Sequence, residues 1–237
     1  MHPLFYTPDI PKAGGVLDLP EETARHLVQV LRKEVGFELL LTDGHGTKAS
    51  GVLAETGKKR ASVQIQQIER IPEPQPRLTL AVAFTKAAAR NEWLLEKVTE
   101  LGVSRIVPLL VQRSETEKFR KERWEAILVS AMQQSQQYWL PQLEAPQKLQ
   151  SFLQQPFNGQ LLMAHCMDSG PRQSFRDVLQ PGTNACLLIG PEGDFTEAEV
   201  LAALGAGARP VTLGLNRLRT ETAAMTGAAY FRLLNDA

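Results

Sequence analysis

The sequence predicts an α/β protein in two parts: a small β-rich N-terminal part, then a larger part built on a mainly parallel sheet. Three observations carry this. The stretch Glu69-Arg70-Ile71-Pro72-Glu73-Pro74-Gln75-Pro76-Arg77 has prolines on alternate positions. Proline lacks a backbone donor and holds its predecessor extended, so this is neither helix nor central strand but a stiff linker. Before it, short runs end in turn signals. After it, short apolar runs alternate with helix-period segments, the pattern of strands covered on both faces. The expected domains are residues 1–71 and 77–237, with 72–76 between them.

In the first part, residues 20–31 read as a helix with Leu27, Val30 and Leu31 as its apolar stripe. Phe37-Glu38-Leu39-Leu40-Leu41-Thr42 reads as a strand that runs into the turn Asp43-Gly44-His45-Gly46. Ala61 to Ile68 alternates apolar and polar, as a half-buried strand does. A small β-barrel with one helix fits this part. In the second, Leu78, Leu80, Val82 and Phe84 alternate in a strand. A helix over 88–101 follows, with Leu94, Val98 and Leu101 on one stripe and Gly102 as its stop. Ile106 to Val111 is a strand, 122–137 a second helix, and Leu161-Leu162-Met163-Ala164 a further strand. Two glycine-flanked loops close the pattern, each running into a helix.

The 237 residues are 43% hydrophobic and 22% charged, which allows a sizeable core without metal or disulfide support. Cys166 and Cys186 sit in apolar runs without metal-ligand spacing and read as buried free thiols of a reducing compartment. The N-terminus lacks a signal-peptide pattern and no apolar run is long enough to span a bilayer, so a cytoplasmic protein is expected. Twenty-six basic and 26 acidic residues argue against a general nucleic-acid coat protein. Local basic clusters such as Lys58-Lys59-Arg60 read as solvated surface.

The chemistry concentrates in the loops. The first runs Leu187-Leu188-Ile189-Gly190-Pro191-Glu192-Gly193-Asp194-Phe195, the second Val211-Thr212-Leu213-Gly214-Leu215-Asn216-Arg217-Leu218-Arg219-Thr220-Glu221-Thr222. Strand ends that stop at glycine offer backbone N–H and C=O groups to a small ligand. G-x-G-x-x-G and the P-loop lysine are absent, so the usual dinucleotide and triphosphate cradles are excluded. Glu192 and Asp194 would repel a phosphate but suit a cofactor with cationic groups, such as S-adenosylmethionine with its sulfonium and ammonium. Thr196 and Glu199 have the capping-box spacing, and Glu197 and Glu199 read as helix caps. Glu192 reads as a functional or loop-bracing residue. Thr220 reads as the N-cap of a helix over 223–234. Arg217 and Arg219 stand against local electrostatic preference at a helix start, which points to function, although a salt bridge to Glu221 would also account for one of them.

These two loops together resemble the signature loops of the RsmE family, the bacterial 16S ribosomal RNA uridine-N3 methyltransferases of the SPOUT superfamily. The resemblance extends to His26-Leu27-Val28-Gln29-Val30-Leu31-Arg32 and to Lys86, Glu92, Lys97, Glu100-Leu101-Gly102-Val103, Pro108 and Arg113-Ser114. Where many members carry two glycines, this chain has Gly193-Asp194. Where many carry Glu-Gln-Ser-x-Arg, it has Gln133-Gln134-Ser135-Gln136-Gln137. The resemblance implies a PUA-like N-terminal β-barrel, a SPOUT-type parallel sheet with a deep trefoil knot, and a homodimer. It implies S-adenosylmethionine held by Ile189, Gly190, Pro191, Gly193, Leu213, Gly214, Leu215 and Leu218. His165 is either a further cofactor neighbour or an ordinary loop histidine. RNA contacts are implied for Arg32, Lys86 (or a contact to the dimer partner) and Arg113. The implied partner is 16S RNA or the 30S subunit, with no membrane and no metal.

Uridine N3 must lose its proton before or during attack on a methyl group. An arginine aimed at a flanking carbonyl oxygen would stabilise the developing anion. Arg219 is expected in that role, Arg217 second, with Glu221 orienting the arginine or relaying the proton. The competing readings are a SPOUT enzyme acting on another RNA such as transfer RNA, a non-catalytic RNA-binding module, and a nicotinamide oxidoreductase. The last lacks its glycine fingerprint.

Overall fold

The structure is a computed structural model that describes residues 2–114, 118–167 and 172–236. The chain divides into two compact units. One comprises residues 1–73 and 132–140, the other residues 74–131 and 141–237.

The first unit carries β1 (Leu4–Tyr6), β2 (Val16–Asp18), α1 (Glu21–Arg25), β3 (Glu38–Thr42), β4 (Thr47–Thr56) and β5 (Ala61–Arg70). They form a five-stranded sheet in the order β1-β3-β4-β5-β2. Only β1 and β3 are parallel in it. Leu27, Leu39, Leu41, Leu53 and Val63 are completely buried in its core, each contributing about 1.5–3 kcal/mol. The expected helix over 20–31 is not uniform. After α1, the residues His26–Val30 form a π-helical turn in which the Leu31 N–H donates to the His26 carbonyl. The additional residue in that turn rotates the succeeding side chains off the α-helical stripe. Leu27 is buried, but Val30 is 66% and Leu31 36% exposed, contrary to expectation. The turn ends at Arg32, a non-glycine residue at φ +51°, and the Lys33 N–H closes back on the Leu27 carbonyl.

Residues 132–140, placed by sequence within the second domain, group with the first unit for a local reason. The Gly46 N–H donates to the Tyr138 carbonyl, the Leu140 N–H to the Gly44 carbonyl, and the Trp139 indole N–H to the carbonyls of Ile71 and Pro72.

The second unit begins with β6 (Leu78–Val82), α2 (Ala88–Glu100) and β7 (Arg105–Leu110), then α3 (Lys121–Gln134), whose end lies in the first unit. β8 (Gln142–Leu143), β9 (Gln147–Lys148), α4 (Leu149–Leu153), β10 (Gln160–Ala164), β11 (Gln173–Ser174), α5 (Phe175–Val178) and β12 (Ala185–Ile189) come next. The chain closes with α6 (Glu197–Gly205), β13 (Arg209–Thr212) and α7 (Thr220–Asn235). The strands lie in the order β11-β13-β10-β12-β6-β7-β8, with β9 also on β7. Every described pairing in it is parallel, as expected. β6 and β12 are buried along their whole length, the consequence of cover on both faces. On one face, Ala81, Met163, Cys186 and Leu188 pack with Phe152 of α4, Val200 and Ala203 of α6, and Phe195. On the other, α7 packs on α2, β6 and β12. There Gly227 approaches Leu187 so closely that a Cβ would collide with it.

Candidate active site

β10, β12 and β13 are neighbours in a parallel sheet, so their carboxyl ends open on the same edge. The segments that leave them, from His165, Gly190 and Leu213, therefore converge. Ligands of open α/β sheets bind at this edge. A cavity of about 750 Å³ lies there, lined by all three segments together with Arg90, Arg172 and the start of α7. That volume is within the usual range for a small-molecule site.

The β12 loop is held tightly. A Cβ on Gly190 would stand 3.1–3.2 Å from the ring and amide nitrogen of Phe195, a fully buried residue. The Asp194 N–H donates to the Pro191 carbonyl at 2.9 Å, and Asp194 adopts φ +62°. The Gly193 carbonyl accepts from the Arg113 guanidinium at 2.8 Å. Thr196 and Glu199 form the expected capping box, and the second oxygen of Glu199 accepts from the Gln112 N–H at 2.7 Å. In the β13 loop, the Thr212 hydroxyl donates to the Gly214 carbonyl at 2.7 Å. Gly214 stands at φ +145°, a conformation side chains rarely adopt.

The loops are tied to each other by two bonds. The Arg217 guanidinium donates to the Glu192 carbonyl at 3.0 Å. The Thr220 hydroxyl donates to the Gly190 carbonyl at 3.0 Å, within a buried setting. Thr220 is therefore not the N-cap that its residue type suggests. The cap position is Arg219, with no side-chain bond to the helix, and α7 starts at Thr220, three residues before the expected start. The Thr220 hydroxyl serves the neighbouring loop because Gly190 turns its carbonyl towards it. Thr220→Val keeps the shape and removes the donor, so a buried carbonyl loses its partner. The expected loss is about 1–3 kcal/mol, read as a lower unfolding midpoint in denaturant.

The charges arrange themselves differently from the sequence expectation. Neither Arg217 nor Arg219 pairs with Glu221. Arg90 does, with Nε 3.8 Å from Glu221 Oε1, and the same guanidinium bridges Glu192 at 2.5 Å. Glu192 thus braces the loop through both its carboxylate and its carbonyl. Glu221 is only 8% exposed, and its Oε2 has no partner among the described residues. It does not itself line the cavity. Arg219 does line it, is exposed, and its guanidinium makes no hydrogen bond or ion pair among the described residues. His165 is 6% exposed, lines the cavity, and has neither ring nitrogen partnered among the described residues. Burial pushes its imidazole below the ordinary value, against the opposing pull of Asp194 and with some help from Arg172. It is therefore neutral near pH 7 and able both to donate and to accept.

Eight of the nine residues expected to contact a cofactor line the cavity; Gly193 does not. Arg113 is turned onto the Gly193 carbonyl. Arg32 and Lys86 are exposed and lie away from the cavity lining. Cys166, expected buried, is exposed and lines the cavity, because it falls just past the end of β10. Cys186, inside β12, is buried, and burial pushes its thiol up to about 12. Sequence reasoning missed Arg90, whose partner Glu192 is 102 residues away, and Arg172, which donates to the His165 carbonyl. No local signal marks either. Among the described residues no helix is long and apolar enough to cross a membrane, and no cluster of His, Cys, Asp or Glu could hold a metal ion.

A family model described as an RNA methyltransferase domain matches residues 72–232, and one described as an RNA methyltransferase PUA domain matches residues 19–66. The ribosomal RNA small subunit methyltransferase E of a Synechocystis species is 29% identical over 214 residues, covering 88% of this chain and 70% of its own length. A crystal structure of a probable rRNA methyltransferase from Porphyromonas gingivalis superposes with a TM-score of 0.91 at 37% identity, covering 99% of this chain and 98% of that one. A ribosomal RNA small subunit methyltransferase E from Neisseria gonorrhoeae, bound to S-adenosyl methionine, gives 0.88 at 29% identity, with the same coverage of both chains.

Proposed function

The chain belongs to the RNA methyltransferase family, and on that footing we propose that it transfers a methyl group from S-adenosylmethionine to N3 of a uridine in 16S ribosomal RNA. The observation that carries the reading is the cavity at the ends of β10, β12 and β13, with a neutral buried His165 and the carboxylates of Glu192 and Asp194 at its lining. The residues fit a donor of this kind. The two imidazole nitrogens, unpartnered among the described residues, call for a polar ligand. The Glu192 and Asp194 carboxylates share the lining with Arg90, Arg172, Arg217 and Arg219, a mixed-charge set that suits a donor carrying an ammonium, a sulfonium and a carboxylate. S-adenosylmethionine supplies an activated methyl group there.

The loops from Gly190 and Leu213 orient the donor and shield it from water, and positioning is a large share of the catalysis. Arg219, free of any described partner, stabilises the negative charge that spreads onto the uridine carbonyl oxygens as N3 is deprotonated. Arg217, committed to the Glu192 carbonyl, holds the two loops in register. Glu221 orients Arg90 rather than either loop arginine. The target base is turned out of the RNA to reach this edge. The first unit, whose residues 19–66 match the PUA model, holds RNA. The strand order, with β12 between β10 and β6 and β13 beyond β10, supports a trefoil knot at this edge. A cytoplasmic homodimer acting on the 30S subunit completes the reading.

The test is methylation of 30S subunits and of naked 16S RNA with labelled donor, followed by mapping of the modified nucleotide. A labelled N3-methyluridine in 16S RNA supports the reading. Label in transfer RNA alone, or none, overturns it.

Arg32 offers an independent check on the RNA-holding role. Its left-handed backbone would suit glycine better, by about 1 kcal/mol. Arg32→Gly should therefore leave thermal stability equal or higher while weakening RNA binding in a gel-shift titration.

A further inference from the structure

We propose that Asp194 is a positioning residue for the methyl donor: its carboxylate clamps the His165–Cys166 turn onto the loop that follows β12, and so presents the His165 imidazole to the ligand. This rests on the methyl-donor reading of the cavity. Asp194 Oδ2 accepts from the Cys166 N–H at 2.8 Å, and Oδ1 accepts from the Phe195 N–H at 2.8 Å. Its carboxylate is thus a staple between the end of β10 and the end of β12, the two segments that approach the cavity side by side. The backbone there is left-handed, φ +62°, where glycine is the favoured residue and aspartate a tolerated one. A glycine would satisfy the backbone and supply no staple. The choice of aspartate against the conformational preference points to the side chain.

What the staple positions is His165. It is nine-tenths buried, lines the cavity, and leaves both ring nitrogens without a partner among the described residues. A buried imidazole in that state calls for a polar ligand group. Its carbonyl is fixed by Arg172 and the next N–H by Asp194, so the residue is fastened on both sides by groups from elsewhere in the chain. As a neutral ring it can donate to and accept from uncharged polar groups of the donor. Recognition through such groups is blind to the charge on sulfur. The staple therefore acts alike on S-adenosylmethionine and on its neutral product, S-adenosylhomocysteine.

The experiment is calorimetric titration of the full chain with both compounds, for the parent and for Asp194→Gly, Asp194→Asn, His165→Ala and the Asp194→Gly/His165→Ala double variant. Asp194→Gly is expected to weaken both ligands about tenfold, the worth of one ordinary hydrogen bond. Asp194→Asn keeps one oxygen acceptor, enough for the Cys166 N–H, and tolerates the left-handed backbone, but turns its NH2 towards the Phe195 N–H, so it should restore part of that loss. The double variant should bind no more weakly than His165→Ala alone, because Asp194 acts through His165. Alkylation of Cys166, the exposed thiol, by iodoacetamide should be faster in Asp194→Gly, while buried Cys186 stays unlabelled. Unchanged affinity in Asp194→Gly overturns the staple and reduces Asp194 to a loop residue. Additive losses in the double variant overturn its action through His165. A loss confined to S-adenosylmethionine and equal in Asp194→Asn overturns it in favour of charge attraction. If the parent chain binds neither compound, the methyl-donor reading itself fails, and the inference with it.

Discussion

Arg219→Ala should lower the rate of methyl transfer about 10²–10³-fold, the loss typical of one donor aimed at a developing negative charge. Arg219 lines the cavity and is exposed. It sits at the cap position of α7 without capping it. No described residue holds its guanidinium, so removal should leave the unfolding midpoint and the affinity for S-adenosylmethionine nearly unchanged. The loss should appear in kcat, since the charge it meets arises only as N3 ionises. Arg217→Ala should behave differently. It removes the bond to the Glu192 carbonyl, loosens the pair of loops, and raises KM for the donor. Single-turnover methylation beside donor calorimetry separates the two. Full activity in Arg219→Ala would remove the proposed role.

Gly190→Ala should weaken donor binding and lower the rate of methyl transfer about 10²-fold, the scale of a 1 Å misplacement at a reacting centre. The added methyl would lie 3.1–3.2 Å from two ring carbons and the amide nitrogen of Phe195. Phe195 cannot retreat, because it is fully buried among Leu188, Met163, Val200 and Ala203. The backbone at 190 must move instead, and its carbonyl is the acceptor for Thr220. Overpacking of this kind costs about 1–3 kcal/mol of stability. Gly205→Ala is the matched control, since its methyl would meet open space. Thermal unfolding and calorimetry of both variants give the comparison. Undiminished donor affinity in Gly190→Ala would take the β12 loop out of the cofactor site.

Much of the frame was legible in the chain. The proline stretch ends where β6 begins, and the expected strands around residues 78, 106 and 161 and the helix from 88 all form. Such elements are written in local periodicity. The short strands β8, β9 and β11 carry two residues each and have no period to read. The turn at 26–30 shows the limit of the helical stripe. The π-helical turn leaves Val30 and Leu31 facing outwards, and residue types alone do not distinguish it from an α-helical turn. Within the site, the glycines and the capping box at Thr196 were readable because each is a local rule. Arg90, Thr220 and Asp194 were not, because their partners Glu192, Gly190 and Cys166 come from other segments.

The order of residues settled which segments bend, which are buried, and that two late loops carry the guanidinium groups. Those outcomes arise from backbone sterics and apolar periodicity, which act over a few neighbours. Folding settled who meets whom. Placing β12 between β10 and β6, with β13 beyond β10, brought three distant strand ends to one edge. That juxtaposition decided that Glu221 faces Arg90, that Arg219 stays free, and that Asp194 grips the turn beside His165. Charge pairing and hydrogen bonding depend on distance in space, and strand order sets that distance where separation along the chain does not.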